Sequence, residues 1–452
     1  MSLAVLPKLG FTHASGRTGT VAWPTATRAA KPAATPAARS AAKPAQTIPV
    51  QCERDIVDAI SLAHERMCAV RPIGGMGSKN DCYATSGLSL DLSGYAGVLA
   101  FDGRTVTVQA GMKMGRLNDF LRRRGAIVPT CGEWQGATVA GSLATGSHGG
   151  SSRHGIHPTS VLAVRLITAD GRALDVGRDS PYFDHAIVSM GMLGVISTVT
   201  FACEPVFDLE LETRVIPFDH YLRDHAALDA ANEFFASVWF PAARRVLTFA
   251  ANRVASKPRT GPRMQRFSVT TFVLDALARY FDINLVTDHR LAHRFVDAAD
   301  LVICPIEDGS TKMHALRTLS RDWRATEPAV PAESAADALA SLDRVLHTHR
   351  HAMLNAVGLR TSAADTFSLS PCFGRRMFWI DLFLARGSGG VMDDVAAAVE
   401  QFGARCHWGK FVGLGAAHLC RQYPRLADFR RVREALDPDR LFANAYTRRI
   451  EV

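Results

Sequence analysis

Val139-Ala140-Gly141-Ser142-Leu143-Ala144-Thr145-Gly146-Ser147-His148-Gly149 is small, glycine-interrupted and almost without charge, yet it lies between two regions patterned as strands. A run of this composition predicts a cradle rather than a core helix. Glycine and alanine let backbone N–H groups approach a ligand closely, and a diphosphate needs several such donors converging on it. The alternative is a tight glycine-rich turn packed for steric reasons alone. Upstream, Ala69 to Ile73 reads as a short strand that feeds into Gly74-Gly75-Met76-Gly77-Ser78. Downstream, Met190-Gly191-Met192-Leu193-Gly194-Val195-Ile196 is a third glycine-punctuated segment, followed by the strand-like Ser197 to Ala202. Three such loops on one chain point to one elongated ligand, a dinucleotide.

The common nucleotide fingerprints do not fit. A Rossmann turn needs G-x-G-x-x-G, but Gly75-Met76-Gly77 is followed three residues on by Asn80. A P-loop needs its Lys-Ser/Thr after four spacers and a glycine, and Gly77-Ser78-Lys79 lacks that order.

The first loop, the VAGSLATGSHG run and the segment Ser189 to Ser197 together resemble the PCMH-type FAD-binding domain of the vanillyl-alcohol oxidase family. The C-terminal part resembles its sugar-lactone and alditol oxidase branch. His407-Trp408-Gly409-Lys410 matches that branch's HWGK motif. Leu359-Arg360-Thr361 with Ala363-Ala364-Asp365 and Leu369-Ser370-Pro371 is similar to its arginine-bearing segment, and Asp437-Pro438, Leu441 to Asn444 and Tyr446 to its closing motif. The resemblance spans residues 48–452. It implies an α+β fold in four parts: a flexible tail over 1–48, an FAD-binding domain over 49–205, a substrate domain over 206–404, and a segment over 405–452 that returns to the flavin. It implies FAD contacts from Gly74, Gly75, Met76, Gly77, Ser78, Gly132, Thr138, Gly141, Ser142, Thr145, Gly146, His148, Gly149, Gly194, Val195, Ile196 and Asn444.

Relatives that tether their flavin covalently carry a histidine just before the serine of the first loop, and some add a cysteine five residues before the valine of the second. Here those positions are Gly77 and Trp134, so the resemblance implies a non-covalently held flavin. Alcohol oxidation by a flavin moves a hydride to the ring while a proton leaves the hydroxyl, so it needs a positioned base and cations facing the developing charge. Lys410 is the expected proton-handling group, desolvated and shifted toward neutrality, and Arg360 the expected orienting cation. Glu133, Asp381 and His407 are the expected substrate contacts. Alditol oxidases carry a glutamate two residues before the arginine; here that residue is Gly358. The departure points to a bulkier or more apolar alcohol, or an amine. Gly132, beside the flavin by alignment, leaves oxygen a path, so an oxidase producing hydrogen peroxide is expected. The alternatives are a dehydrogenase with another acceptor and a decayed flavin-binding scaffold.

Composition is consistent with this reading. At 452 residues and 47% hydrophobic content the chain has material for two cores, and no apolar run reaches a membrane span. Its net charge of +9 comes from scattered arginines. Clusters such as Arg122-Arg123-Arg124 lack interleaved aromatics, which argues for a solvated basic face rather than nucleic acid. The nine cysteines are singletons, without a CxxC pair for a metal or for thiol exchange, and their number is odd; a reducing, cytoplasmic setting without disulfides or metal is expected. The first 48 residues contain no Asp or Glu and are rich in Ala, Pro and Lys from Ala29 on. They read as disordered, with a transit-type segment as the alternative. The expected partners are a small-molecule substrate and O2.

Overall fold

Strand and helix follow the local pattern of the chain. The computed structural model describes residues 42–130, 132, 134–241, 243–254, 306–307, 323–349, 357–385 and 389–450; the expected tail lies outside them up to residue 41. Residues 41–452 group as one compact unit. Helix Glu53–Glu65 buries Ile56, Ala59, Ile60 and Ala63 along one stripe. Its first turn is held by Asp55, whose Oδ2 accepts N–H bonds from Gln51 and Cys52 at 2.7 and 3.0 Å. A three-stranded parallel sheet shares that core, in the order Gln46–Pro49, Leu88–Asp91, Val70–Ile73, with Ile48 and Pro72 both level with Leu90. Among the described residues a strand already occupies Gln46–Pro49, inside the stretch read as tail, because it finds a parallel neighbour that the composition around it does not reveal.

A second, antiparallel sheet of five strands runs Val98–Phe101, Thr105–Gln109, Val195–Ala202, Val161–Ile167, Ala173–Gly177. Its first hairpin turns at Asp102-Gly103, where Gly103 has φ +90°. The strand Val70–Ile73 ends at the first glycine loop, and the third glycine segment runs into Val195–Ala202. The middle run departs from expectation: Val139–Ala144 is a short helix. Thr138 caps it, its Oγ1 accepting the Gly141 N–H at 3.2 Å, and Val139, Ser142 and Leu143 are buried.

From Asp208 the chain builds a third, nine-stranded sheet. Its central strands are Arg245–Val254, Phe234–Phe240, Val357–Ser362 and Met377–Ala385 in that order, with Pro328–Pro331 and then Arg405–Cys406 beyond. Trp323–Thr326 also pairs with Met377–Ala385. Helices Phe218–Ala231, Ala335–Thr348 and Gly389–Glu400 pack on this sheet. Strand alternation puts Trp379, Asp381 and Phe383 on one face, with Leu359, Ile380 and Leu382 buried on the other. No helix among the described residues is long and apolar enough to cross a membrane. The seven cysteines among them are free thiols.

Candidate active site

The three glycine segments meet at one cavity of about 410 Å³. Gly74, Gly75, Met76, Gly77 and Ser78 line it from the first loop, Gly132, Thr138, Gly141, Ser142, Thr145 and His148 from the second region, and Gly194 and Ile196 from the third. Side chains are excluded by close approach. A β-carbon on Gly74 would overlap the Thr138 side chain, and one on Gly141 would sit 2.9 Å from Thr138 Oγ1. The resulting cradle, three glycine-edged loops around one cavity, fits FAD.

Four expected contacts do not reach this lining. Gly146 makes a turn at φ +70° among Val188, Ile156 and Pro371, and Gly149 lends its carbonyl to His148 Nδ1 at 3.1 Å. Val195 is fully buried in the core. Asn444 caps the C-terminal helix Ala445–Arg449 and donates from Nδ2 to the carbonyls of Asp81, Cys82 and Ala84, bracing the loop behind the first glycines. Glu133 lies outside the described residues.

At one end of the cavity the large sheet presents a charged wall. Arg360 is level with Trp379, and Gly358 with Asp381, on adjacent antiparallel strands. A β-carbon on Gly358 would stand 3.1 Å from Arg360 Nη2, so glycine there leaves room for the guanidinium. The His407–Lys410 loop is clipped to the first glycine loop: Lys79 N–H donates to the Gly409 carbonyl at 2.7 Å, and Asn80 Nδ2 to those of Trp408 and Lys410 at 2.7 and 2.6 Å. Trp408 is buried with its indole N–H on the Leu369 carbonyl at 2.7 Å, a structural role.

Lys410 Nζ lies 2.9 Å from Asp381 Oδ1 and 3.4 Å from Glu327 Oε2, and Arg360 Nη2 lies 3.9 Å from Asp381 Oδ2. Glu327 escaped the sequence reading. Its signal is a lone carboxylate in the apolar stretch Ala325 to Pro331, and it is 3% exposed. Its Oε1 is 3.2 Å from His148 Nε2 but poorly aligned for a hydrogen bond. The His148 ring stacks on Trp379 with centroids 3.8 Å apart. His148, Glu327 and His407 offer three potential metal-ligand atoms within 4.8 Å of one another, but the Lys410 ammonium already balances the Glu327 charge.

This surrounding sets the proton positions. Burial favours the neutral amine of Lys410, yet Asp381 and Glu327 together outweigh it and hold the ammonium above the usual lysine range. The expected shift toward neutrality is therefore reversed, since two carboxylates converge on Nζ from strands that the sequence keeps apart. Burial, and then repulsion from Glu327, raise Asp381. Glu327 faces the same burial, but Lys410 and His148 hold it well below the usual carboxylate range. Burial pushes His407 down to about 3. Its Nδ1 accepts the Gly409 N–H at 2.9 Å, so the neutral ring carries its proton on Nε2. Two carboxylates with diverging proton affinities beside a fixed cation are an acid–base arrangement.

A family model described as D-arabinono-1,4-lactone oxidase matches residues 199–450, and an FAD binding domain model matches residues 44–177. The chain is 29% identical to an L-gulono-1,4-lactone dehydrogenase of Mycobacterium tuberculosis over 88% of its own length and 94% of the relative's. It is 27% identical to an L-gulonolactone oxidase of Mus musculus, covering 88% and 92% of the two chains. With an alditol oxidase of a Streptomyces species the identity is 27%, covering 76% and 80%. The fold is shared with a cholesterol oxidase from Brevibacterium sterolicum, at a TM-score of 0.70 and 13% identity over 89% of this chain and 94% of that one.

Proposed function

Since the chain belongs to the D-arabinono-1,4-lactone oxidase family, we propose that it oxidises a carbinol carbon of a small polyhydroxylated molecule, a sugar lactone or polyol, and passes the electrons to O2. It is an FAD-dependent oxidoreductase acting on CH–OH donors. The observation that carries the substrate class is the largely buried wall of Arg360, Asp381, Glu327, His407 and Lys410 on the cavity. Such a wall matches hydroxyl groups and opposes the bulkier, apolar alcohol that Gly358 alone suggests. The carboxylate missing at Gly358 has a counterpart on the facing strand, since Asp381 is level with it.

FAD, when bound, supplies the acceptor for the hydride leaving the carbinol carbon. Residues 49–205 hold it, residues 206–404 bring Arg360, Asp381 and Glu327 to the substrate wall, and residues 405–452 close the site with His407 and Lys410. Asp381 takes the hydroxyl proton at its carboxylate. Lys410, charged throughout, donates from Nζ and with Arg360 offsets alkoxide-like charge. His407 donates from Nε2 and orients a second oxygen. Glu327 keeps Lys410 charged and in place. The flavin is held without a covalent bond, because Gly77 and Trp134 offer no nucleophile at the two tethering positions. On the same loop motifs we place the chain's branch within the vanillyl-alcohol oxidase family.

Anaerobic stopped-flow reduction of the flavin by L-gulono-1,4-lactone, D-arabinono-1,4-lactone and sorbitol tests this reading. At least one should bleach the flavin, more slowly as pH falls and Asp381 becomes protonated. Lys410→Met and Asp381→Asn should each slow bleaching by about two to three orders of magnitude with the resting flavin spectrum unchanged. Bleaching by apolar alcohols or amines alone, or full rates in both variants, overturns it.

A further inference from the structure

Trp134 is half exposed, at 50%, and lines the same cavity. Its indole lies in a socket of three glycines. A β-carbon on Gly77 would fall within the ring, one on Gly75 would come 2.9 Å from it, and one on Gly136 would come 2.7 Å from it. Bare backbone thus packs against the ring, while half of the residue's surface stays uncovered. Met76, beside it in the first loop, is 60% exposed at φ +49°, a left-handed conformation unfavourable for methionine. Apolar surface of this kind at a cavity mouth is a cost in water unless a ligand covers it.

The end of the cavity where this happens is defined by hydrogen bonds. Lys79 N–H holds the Gly409 carbonyl at 2.7 Å, and Gly409 also packs against Ser78. Gly77 and Trp134 therefore stand at the charged wall, the end that the redox ring must reach to meet substrate. From this we infer that Trp134 is a non-covalent clamp on the flavin: its indole, seated on Gly75, Gly77 and Gly136, covers the apolar edge of the isoalloxazine and slows cofactor release. Aromatic contacts of this kind, added to the area they bury, amount to about a tenfold change in a dissociation constant. The inference rests on the non-covalent reading above and gives Gly75 and Gly77 a purpose beyond amide donation, namely room for an indole.

The test is the FAD dissociation rate of purified holoenzyme, followed by flavin fluorescence after dilution, with wild type first precipitated in acid. FAD remaining on the acid pellet sinks the non-covalent reading by itself. With FAD in the supernatant, Trp134→Ala should release FAD at least tenfold faster than wild type, and Trp134→Phe within about threefold of it. Gly77→Ala, whose methyl group displaces the indole, should reproduce the fast release, and adding it to Trp134→Ala should change nothing more. Circular dichroism and the thermal midpoint of each apoprotein report folding; if Trp134→Ala is unfolded, Trp134→Leu with Gly77→Ala takes its place. Wild-type release rates in folded Trp134→Ala and Gly77→Ala, or additive effects in the double variant, overturn the clamp.

Discussion

Lys410 shows how a buried side chain takes its charge state from partners rather than from burial alone. Desolvation by itself draws a lysine toward neutrality, but carboxylate oxygens at 2.9 and 3.4 Å reverse the outcome. The lysine is then a fixed cation, and Asp381, whose affinity for a proton is raised, is the group able to exchange one. Gly132 bears on the electron acceptor in the same one-residue way. A β-carbon there would sit 3.1 Å from Ser147 Cβ, so one methyl group already crowds the cavity wall. Reduced wild-type enzyme mixed with aerated buffer should reoxidise rapidly, and Gly132→Val more slowly by tenfold or more. Slow reoxidation of wild type, unaltered by the substitution, identifies a dehydrogenase.

Among the elements, the segment joining strands Val357–Ser362 and Met377–Ala385 carries an unusual acid. Burial pushes Asp365 up to about 7, although Ser370 Oγ at 2.5 Å and the Phe367 N–H at 3.1 Å both donate to it. The folded protein then holds this proton up to about 7, whereas the unfolded chain releases it near 3.8. Its contribution to stability is complete below the lower value and is lost as pH rises through the higher one. Thermal unfolding of wild type between pH 5 and pH 8 should show a fall in midpoint that Asp365→Asn reduces. His407, with its depressed affinity, acts in the opposite sense, losing stability as pH falls through the ordinary histidine range; the difference between wild type and variant isolates Asp365. Equal slopes in both proteins refute the assignment. The helix Val139–Ala144 belongs to this scale as well. Its glycine, valine and serine are weak helix formers in isolation, and the Thr138 cap with the burial of Val139 and Leu143 decides the conformation.

The whole molecule is drawn together by Arg71. Arg71 is 4% exposed, and its guanidinium donates to the carbonyls of Cys82 at 2.6 Å, Met190 at 2.8 Å and Phe442 at 2.8 Å, joining the loop behind the first glycines, the third glycine segment and the C-terminal segment. Arg71→Met leaves the Met190 and Phe442 carbonyls without this donor, while the Cys82 carbonyl keeps its bond from Asn444 Nδ2. At about 1–3 kcal/mol for each buried group left unpaired, the variant should lose several kcal/mol in chemical denaturation and bind FAD more weakly, since all three segments frame its cavity. A loss under about 0.5 kcal/mol, typical of a surface change, rules out the staple.

Much of this was legible in the chain itself. Local pattern marks the strands at Ala69 to Ile73 and Ser197 to Ala202, because the spacing of apolar residues and of the bounding glycines acts over a few neighbours. The glycine loops show as a dinucleotide cradle for the same reason: unusual backbone demands leave an unusual composition. The strand Gln46–Pro49 and the helix at Val139 were not legible, since partners distant in sequence stabilise them. Nor was Glu327, a single carboxylate whose meaning arises only when Lys410 arrives from 83 positions away. Sequence by itself determined the α+β class, the sugar-lactone oxidase branch and the cofactor. Tertiary structure alone decided which carboxylate faces which cation, because charge state in a buried site depends on distances of a few ångströms between strands that the chain order separates.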